Sequence, residues 1–338
     1  MRPNRHVVRS ISPQLWEEFF RGSRSACARL ITKVENDLES IPEIRDRLIP
    51  QRKGAVRIGI TGPPGVGKST VTAGLARRAV KDGHSVGVIA VDPTSPFTGG
   101  AFLGDRVRMQ SLMGDGRVFI RSLASRDGHG GLSPATPHVA EVLDAFGMDR
   151  IFIETVGVGQ AELDVVTCAD LILLVLQPGT GDVIQTLKAG ITEAADLFLV
   201  NKADLPGTES LLEALGFLFE ISAHRHVDTR PPILTASAVK DEGLDGVYSE
   251  TERLIERLIQ SGQYQDKKRQ QMEREIRESL QQMLWDRFAA MTNALEEIRI
   301  FCERLIKNGQ SPYPFIRAMG SNVRMELVNR RAGNENDG

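Results

Sequence analysis

A glycine-rich turn ending in a lysine and a hydroxyl, "GITGPPGVGKST" at residues 59–70, lies between a short apolar run and a stretch with helical spacing. Few sequence features narrow the choice of fold as far. Gly62, four residues, then Gly67-Lys68-Ser69 is the spacing of a phosphate-binding loop, which works only where a strand feeds the N-terminus of a helix. Gly65 and Gly67 let the backbone turn its N–H groups toward phosphate oxygens, and the following helix adds its positive end. The candidate loop is therefore Gly62, Pro63, Pro64, Gly65, Val66, Gly67, Lys68, Ser69 and Thr70. Lys68 is expected to reach the outer phosphates, Ser69 to offer its hydroxyl to a magnesium ion, and Thr70 to approach an inner phosphate.

The rest of the chain fits the fold that such a loop demands. Short apolar runs, "VRIGIT", "SVGVIAV", "RVFIRS", "RIFIET", "LILLVL", "LFLVN" and "PILTAS", alternate with helical segments from Val56 onward. That alternation predicts an α/β P-loop NTPase fold, a mostly parallel central sheet with helices on both faces. Residues 1–50 read as an N-terminal helical extension, 51–262 as the nucleotide-binding domain, 263–330 as a C-terminal helical arm and 331–338 as a disordered tail. Along the arm, Met272, Ile276, Leu280, Leu284, Phe288, Met291, Leu295, Ile298, Cys302 and Leu305 recur every three or four residues, with no proline or glycine before Lys307. They trace one stripe on a helix roughly 50 to 60 Å long. A dimerisation arm is expected, the alternative being a helix folded back or broken and repacked.

The motif "NKAD" at 201–204 follows the run "LFLV", as a loop at a strand end should. Asp204 can accept two hydrogen bonds from the N1–H and 2-amino group of guanine, and adenine has no such pair of donors. Asn201 can bond the other edge of the base or brace the loops, and the stem of Lys202 can cover the ring. Downstream, Ser237, Ala238 and Val239 can present a backbone N–H to the base oxygen. Magnesium needs further oxygen ligands. Glu154 at the end of "RIFIE", Asp92 after "VGVIAV" and Asp105 in "GGAFLGDRVRM" are the candidates beside Ser69. Each has a plainer reading, because a carboxylate at a strand end is often only a helix cap or a solvated loop residue. The segment "TSPFTGGAF" between the two aspartates has the composition of a nucleotide-sensing switch.

Composition limits the other classes. A chain of 338 residues, 41% hydrophobic and 25% charged, with a formal net charge of −2, has no overall electrostatic pull toward nucleic acid or anionic membrane. No run approaches the roughly 18 apolar residues that span a bilayer. Cys27, Cys168 and Cys302 are far apart, so neither a disulfide framework nor a cysteine zinc site is indicated, and His224 with His226 reads as a surface pair. The basic start "MRPNRHVVRS" only slightly resembles a mitochondrial leader, since helix-like sequence begins by Ser12. A bacterial cytoplasmic location is expected.

Together, "GPPGVGKST", "VDPTSPFTGGAFLGDRVRM", "ETVGVGQAE", "PGTGDVIQTLKAGI" and "VNKADL" resemble the MeaB/MMAA/ArgK group of GTPases, relatives of the nickel-insertion GTPases of hydrogenase and urease. The resemblance runs in order over roughly residues 13 to 265. It implies a homodimeric GTPase that gates adenosylcobalamin loading and protects or reactivates a cobalamin-dependent acyl-CoA mutase such as methylmalonyl-CoA mutase. It also implies Mg2+ as cofactor and GTP/GDP as ligand, held by Lys68, Ser69, Asp92, Asp105, Glu154, Asn201 and Asp204. Residues 177–190 then become a third switch touching the mutase through Asp182, Gln185 and Lys188, with Lys188 a candidate catalytic group. One departure is "GGAFLGDRVRM" where the family suggests "GGSILGDKTRM".

"ETVG", Glu154 to Gly157, looks like the acid-x-x-Gly loop by which nucleotide-hydrolysing proteins hold magnesium and sense a terminal phosphate. Many switch proteins place a water-orienting glutamine straight after that glycine, whereas this chain has Val158, with Gln160 two residues on. Slow intrinsic hydrolysis, stimulated by a partner that reorders the switches, is the expectation. Three rivals remain: a metal-insertion GTPase, an ATP-driven kinase or transport component, and a binding module in which nucleotide only holds the fold. Metal titration, GTP against ATP competition and phosphate release separate them.

Overall fold

The computed structural model describes residues 11–37, 40–93, 109, 112, 114–125, 132–157, 161–179, 191–222, 230–290, 294–308 and 311–313. Each of the seven apolar runs forms a strand: β1 (Val56–Thr61), β2 (Val86–Pro93), β3 (Val118–Ser125), β4 (Arg150–Glu154), β5 (Leu171–Leu176), β6 (Leu197–Asn201) and β7 (Ile233–Ala236). They make one sheet in the order β3-β2-β4-β1-β5-β6-β7. Every neighbouring pair is parallel. Burial on both faces explains why these strands read as continuous apolar runs rather than alternating ones.

The helices among the described residues are α1 (Pro13–Phe20), α2 (Arg24–Asn36), α3 (Ile41–Leu48), α4 (Lys68–Lys81), α5 (Thr136–Phe146), α6 (Ala161–Cys168), α7 (Ile191–Ala194), α8 (Thr208–Ser222), α9 (Leu244–Gln260), α10 (Gln263–Ala289) and α11 (Ala294–Asn308). Side chains alternate across a strand, so β5 feeds two cores. Leu171, Leu173 and Val175 join Val71 and Leu75 of α4 and Val247 and Ile255 of α9. Ile172, Leu174 and Leu176 join Val139 and Leu143 of α5, Val165 of α6 and Leu215 of α8.

The N-terminal extension is three short helices on the α5 side. Ser12 and Ser23 start α1 and α2 by accepting the N–H groups of Leu15 and Ala26. Trp16 and Phe19 are buried, and Phe19 meets Phe146 of α5 with ring centroids 5.4 Å apart. Arg45 of α3 forks onto Glu141 of α5 at 2.7 and 3.0 Å, and Arg52 adds a bond at 3.1 Å.

The first compact unit ends at Lys268, and the second begins at Arg269. That division falls beyond residue 262, the boundary read from sequence, because the first turns of α10 are bonded to the amino edge of the sheet. Tyr264 donates to the Gly54 carbonyl at 3.2 Å, and Lys268 pairs with the fully buried Asp170 at 2.8 Å. The arm also differs from the single long helix expected of it. Helix α10 stops at Ala289 and α11 starts at Ala294. The intervening residues Met291, Thr292 and Asn293 lie outside the described residues. The basic start (residues 1–10), the tail expected at 331–338, and the pair His224 and His226 lie outside the described residues as well.

Candidate functional site

In an open parallel sheet, ligands bind at the carboxyl ends of the strands where the connections diverge. Here β1 runs between β4 and β5, and the glycine-rich loop leaves its end. Gly62 takes φ +137° under the Val175 carbonyl, where a Cβ would stand 2.0 Å from the oxygen. Gly65 and Gly67 also take left-handed backbone, φ +78° and +95°, and Gly67 caps α4. The loop therefore curls so that the first N–H groups of α4, a fourteen-residue helix, face the turn.

Lys68 is 6% exposed and its Nζ donates to the carbonyls of Gly62 at 2.8 Å and Pro63 at 2.9 Å. Ser69, equally enclosed, donates from Oγ to Oε1 of Glu154 at 2.6 Å. Register explains the meeting. Glu154 is level with Ile60 on β1 and with Ala90 on β2, so the ends of the three strands bring Ser69, Glu154 and, two residues past Ala90, Asp92 to one crest. Glu154 and Asp92 are 4% and 5% exposed. Two enclosed carboxylates and a hydroxyl form a hard oxygen set that suits magnesium, which keeps waters in its remaining positions. Next to them, Thr155 donates to the hydroxyl of Thr61 at 3.2 Å.

Gly157, the glycine of the acid-x-x-Gly loop, lies against the same lysine. A Cβ there would stand 2.3 Å from Lys68 Nζ and 2.7 Å from the Gly62 carbonyl oxygen, and its φ is +85°. Only glycine fits both demands. Further on, burial raises the pKa of Glu162, at the start of α6, against the opposing pull of Lys68. Asp105, Val158, Gln160, Asp182, Gln185 and Lys188 lie outside the described residues.

The base-side motif sits at the end of β6. Of the two roles open to Asn201, it takes the bracing one: Nδ2 donates to the Val66 carbonyl at 2.7 Å, and Oδ1 accepts the Ala238 N–H at 3.0 Å. Lys202, with left-handed backbone at φ +58°, donates from Nζ to the Gly65 carbonyl at 2.7 Å. Both residues thus tie the base loop to the phosphate loop. The Ala238 N–H, one of the amides available for a base oxygen, is engaged by Asn201, while Val239 is exposed. Asp204 pairs with Lys240 at 3.1 Å. Hydrogen bonding from Ser237, and then Lys240, holds its carboxyl below the usual aspartate range.

Sequence reasoning missed Lys240, Gly157's contact with Lys68 and the position of Glu162. A lone lysine in a polar turn or a lone glutamate in a helix's first turn carries no signal by itself, whereas Gly157 was legible as a glycine but not as a neighbour of Lys68. Among the described residues, no group of three or more His, Cys, Asp or Glu side chains is placed to hold a metal ion. No helix among them is long and apolar enough to cross a membrane.

Fold and site together define a P-loop GTPase. The family model described as "Methylmalonyl Co-A mutase-associated GTPase MeaB" matches residues 27–293. The chain belongs to the MeaB family. It is 47% identical over 266 residues to a GTPase-named chain of Pyrococcus abyssi, covering 78% of this chain and 82% of that one. It is 33% identical over 259 residues to GTPase ArgK of Escherichia coli, covering 74% and 78%. The mouse protein named methylmalonic aciduria type A homolog, mitochondrial, is 29% identical over 317 residues, covering 88% and 76%. The crystal structure titled LAO/AO transport system kinase superposes with a TM-score of 0.70 over 93% of this chain and 99% of its own, at 24% identity, a likeness of fold. As a P-loop GTPase the protein binds GTP and GDP with magnesium and hydrolyses GTP.

Proposed function

We propose that this GTPase is a chaperone of a cobalamin-dependent acyl-CoA mutase of the methylmalonyl-CoA type, gating adenosylcobalamin loading and protecting or reactivating the mutase. The observation that carries the reading is the membership in a mutase-associated family of a chain whose phosphate loop, Ser69–Glu154 contact and base motif share one crest. The mouse relative, named for methylmalonic aciduria, points the same way. A homodimer in a bacterial cytoplasm completes the proposal.

In this reading Lys68 exchanges the Gly62 and Pro63 carbonyls for the outer phosphates when GTP enters. Ser69, Glu154, Asp92 and Asp105 hold magnesium, which supplies positive charge to the phosphate oxygens. Asp204 reads guanine while Asn201 and Lys202 keep the phosphate loop in step with the base loop. No glutamine follows Gly157 directly, so the isolated chain hydrolyses slowly. Docking of the mutase on residues 177–190, through Asp182, Gln185 and Lys188, brings a polar or cationic group to the phosphates. Such a group is worth about 10³ to 10⁵ in rate in other GTPases.

Single-turnover GTP hydrolysis by the purified chain, alone and with the mutase, tests the proposal. Stimulation that Lys188→Ala blunts while leaving the resting rate nearly intact is the expected result. Equal rates with and without the mutase would overturn it.

A further inference from the structure

The turn that follows β7 does more than lie beside the base motif. Ser237 and Glu242 exchange backbone hydrogen bonds at 3.0 and 3.2 Å, and the Lys240 N–H donates to the Ser237 carbonyl at 3.0 Å. Residues 237–242 are therefore a closed turn, and three of its members face the base motif. Lys240 pairs with the Asp204 carboxylate at 3.1 Å, Ala238 bonds Asn201 at 3.0 Å, and Ser237 helps hold the Asp204 carboxyl below its usual range. The orientation of Asp204 depends on where this turn sits.

What fixes the turn comes from the helix behind the phosphate loop. Arg78 of α4, its side chain only 11% exposed, donates from Nη1 to Asp241 Oδ1 at 2.9 Å and from Nε to Asp245 Oδ1 at 2.8 Å. Its Nη1 also reaches the Gly74 carbonyl at 3.3 Å, and Arg77 adds a longer contact to Asp241 at 3.4 Å. Asp241 adopts φ +59°, one of two non-glycine residues with positive φ among those described; the other is Lys202 of the base motif. An aspartate tolerates that conformation better than most residues, yet it persists when its surroundings hold it. Arg78 is the holder, and Asp241 is the covalent neighbour of Lys240.

We infer that Arg78 is a positioning residue for guanine specificity: through Asp241 it sets the 237–242 turn, and so aims the Asp204 carboxylate at the base. The inference rests on the reading of Asp204 as the guanine acceptor. Arg78 lies ten residues beyond Lys68 on α4, about 15 Å along the helix, and acts on the base through the turn. A purely structural role predicts something different, because α4 and α9 also meet at Gly74 and Leu244, where a Cβ on Gly74 would stand 2.4 Å from the leucine methyl. Loosening that packing would weaken every nucleotide alike.

Comparison of GDP with IDP separates the two roles, since hypoxanthine lacks the 2-amino donor that Asp204 would accept. Affinities of both are measured by calorimetry with magnesium present, for the full chain and for Arg78→Ala, Asp241→Gly and Asp204→Asn. A hydrogen bond to a charged group discriminates by about ten- to a hundredfold, so a misaimed carboxylate is expected to narrow the GDP to IDP ratio about tenfold in Arg78→Ala, GDP losing the bonds to both N1–H and the 2-amino group and IDP only the N1–H bond it shares. Asp241→Gly removes the same link but suits the left-handed backbone, so it narrows the ratio even if Arg78→Ala folds poorly. Arg78→Lys, which keeps the charge but not the fork, falls between. An unchanged ratio in both Arg78→Ala and Asp241→Gly, with Asp204→Asn narrowing it, overturns the positioning role alone. A ratio untouched by Asp204→Asn overturns the reading of Asp204, and the inference with it.

Discussion

Lys68 Nζ, the Gly62 carbonyl and the Gly157 backbone share one small volume, with no room for another carbon. Adding a methyl at Gly157 forces either the lysine or the loop to move, and it also places a side chain at φ +85°. The backbone cost is about 1 to 2 kcal/mol, which in a domain of this size lowers Tm by about 2 to 8 °C. Catalysis suffers more, since a displacement near 1 Å at a charged group can cost about 10²-fold. Gly157→Ala is thus expected to melt only slightly early while losing about two orders of magnitude in single-turnover hydrolysis, measurable by calorimetric scans and phosphate release. Thiol chemistry gives an independent check on single residues. Burial pushes Cys27 and Cys168 up to about 12, so neither forms appreciable thiolate near pH 8. Cys302 is exposed. Native alkylation at pH 8 is expected to modify Cys302 alone, and unfolding to release the other two, as read by intact mass.

At the level of elements, the extension helices are latched to the sheet domain by Glu141. Burial alone would raise its carboxyl, but His138, 3.5 Å away, and the hydrogen bonds from Arg45 outweigh that and take it from 4.5 down to about 2. A depressed folded value means that the stabilisation is complete above 4.5 and disappears as pH falls toward 2, because the unfolded chain takes up the proton first. The shift corresponds to about 3 kcal/mol. Glu141→Gln should therefore lower the urea midpoint at pH 7 and flatten the decline between about pH 4.5 and 2. The seven strands and the helix after the phosphate loop were legible in the sequence because a doubly covered parallel sheet demands unbroken apolar runs. The Arg45–Glu141 latch was not, since the partners are far apart in sequence and ion pairs leave no periodic trace. The site divides in the same way. Lys68, Ser69 and Asn201 stand in a contiguous motif whose spacing is itself the geometry. The Lys240–Asp204 pair and the Gly157–Lys68 contact arise where separate strands end, and only the register of the sheet brings them together.

For the whole molecule, the open question is what covers α10. None of its residues is buried, and Met272, Ile276, Leu280 and Leu284, at four-residue spacing, are 38%, 52%, 51% and 45% exposed. With Met283 and Trp285 beside them, also exposed, they form an apolar stripe on a helix about 40 Å long. A stripe of that kind on a charged helix marks an interaction face, and in the homodimer we propose a second copy of the chain would meet it with a stripe of the same spacing. The periodicity was plain in the sequence, but whether it faces inward or outward is not encoded in spacing alone. The paired substitution Leu280→Glu and Leu284→Glu places like charges on both sides of such a seam, so sedimentation velocity should show the wild-type dimer giving way to monomer at micromolar concentration. The phosphate and base loops lie in the other compact unit, and the variant's resting GTP turnover should stay within about twofold of the parent. A variant that remains dimeric would mean that the stripe is covered by something other than its own copy, and the proposed homodimer would need a different face.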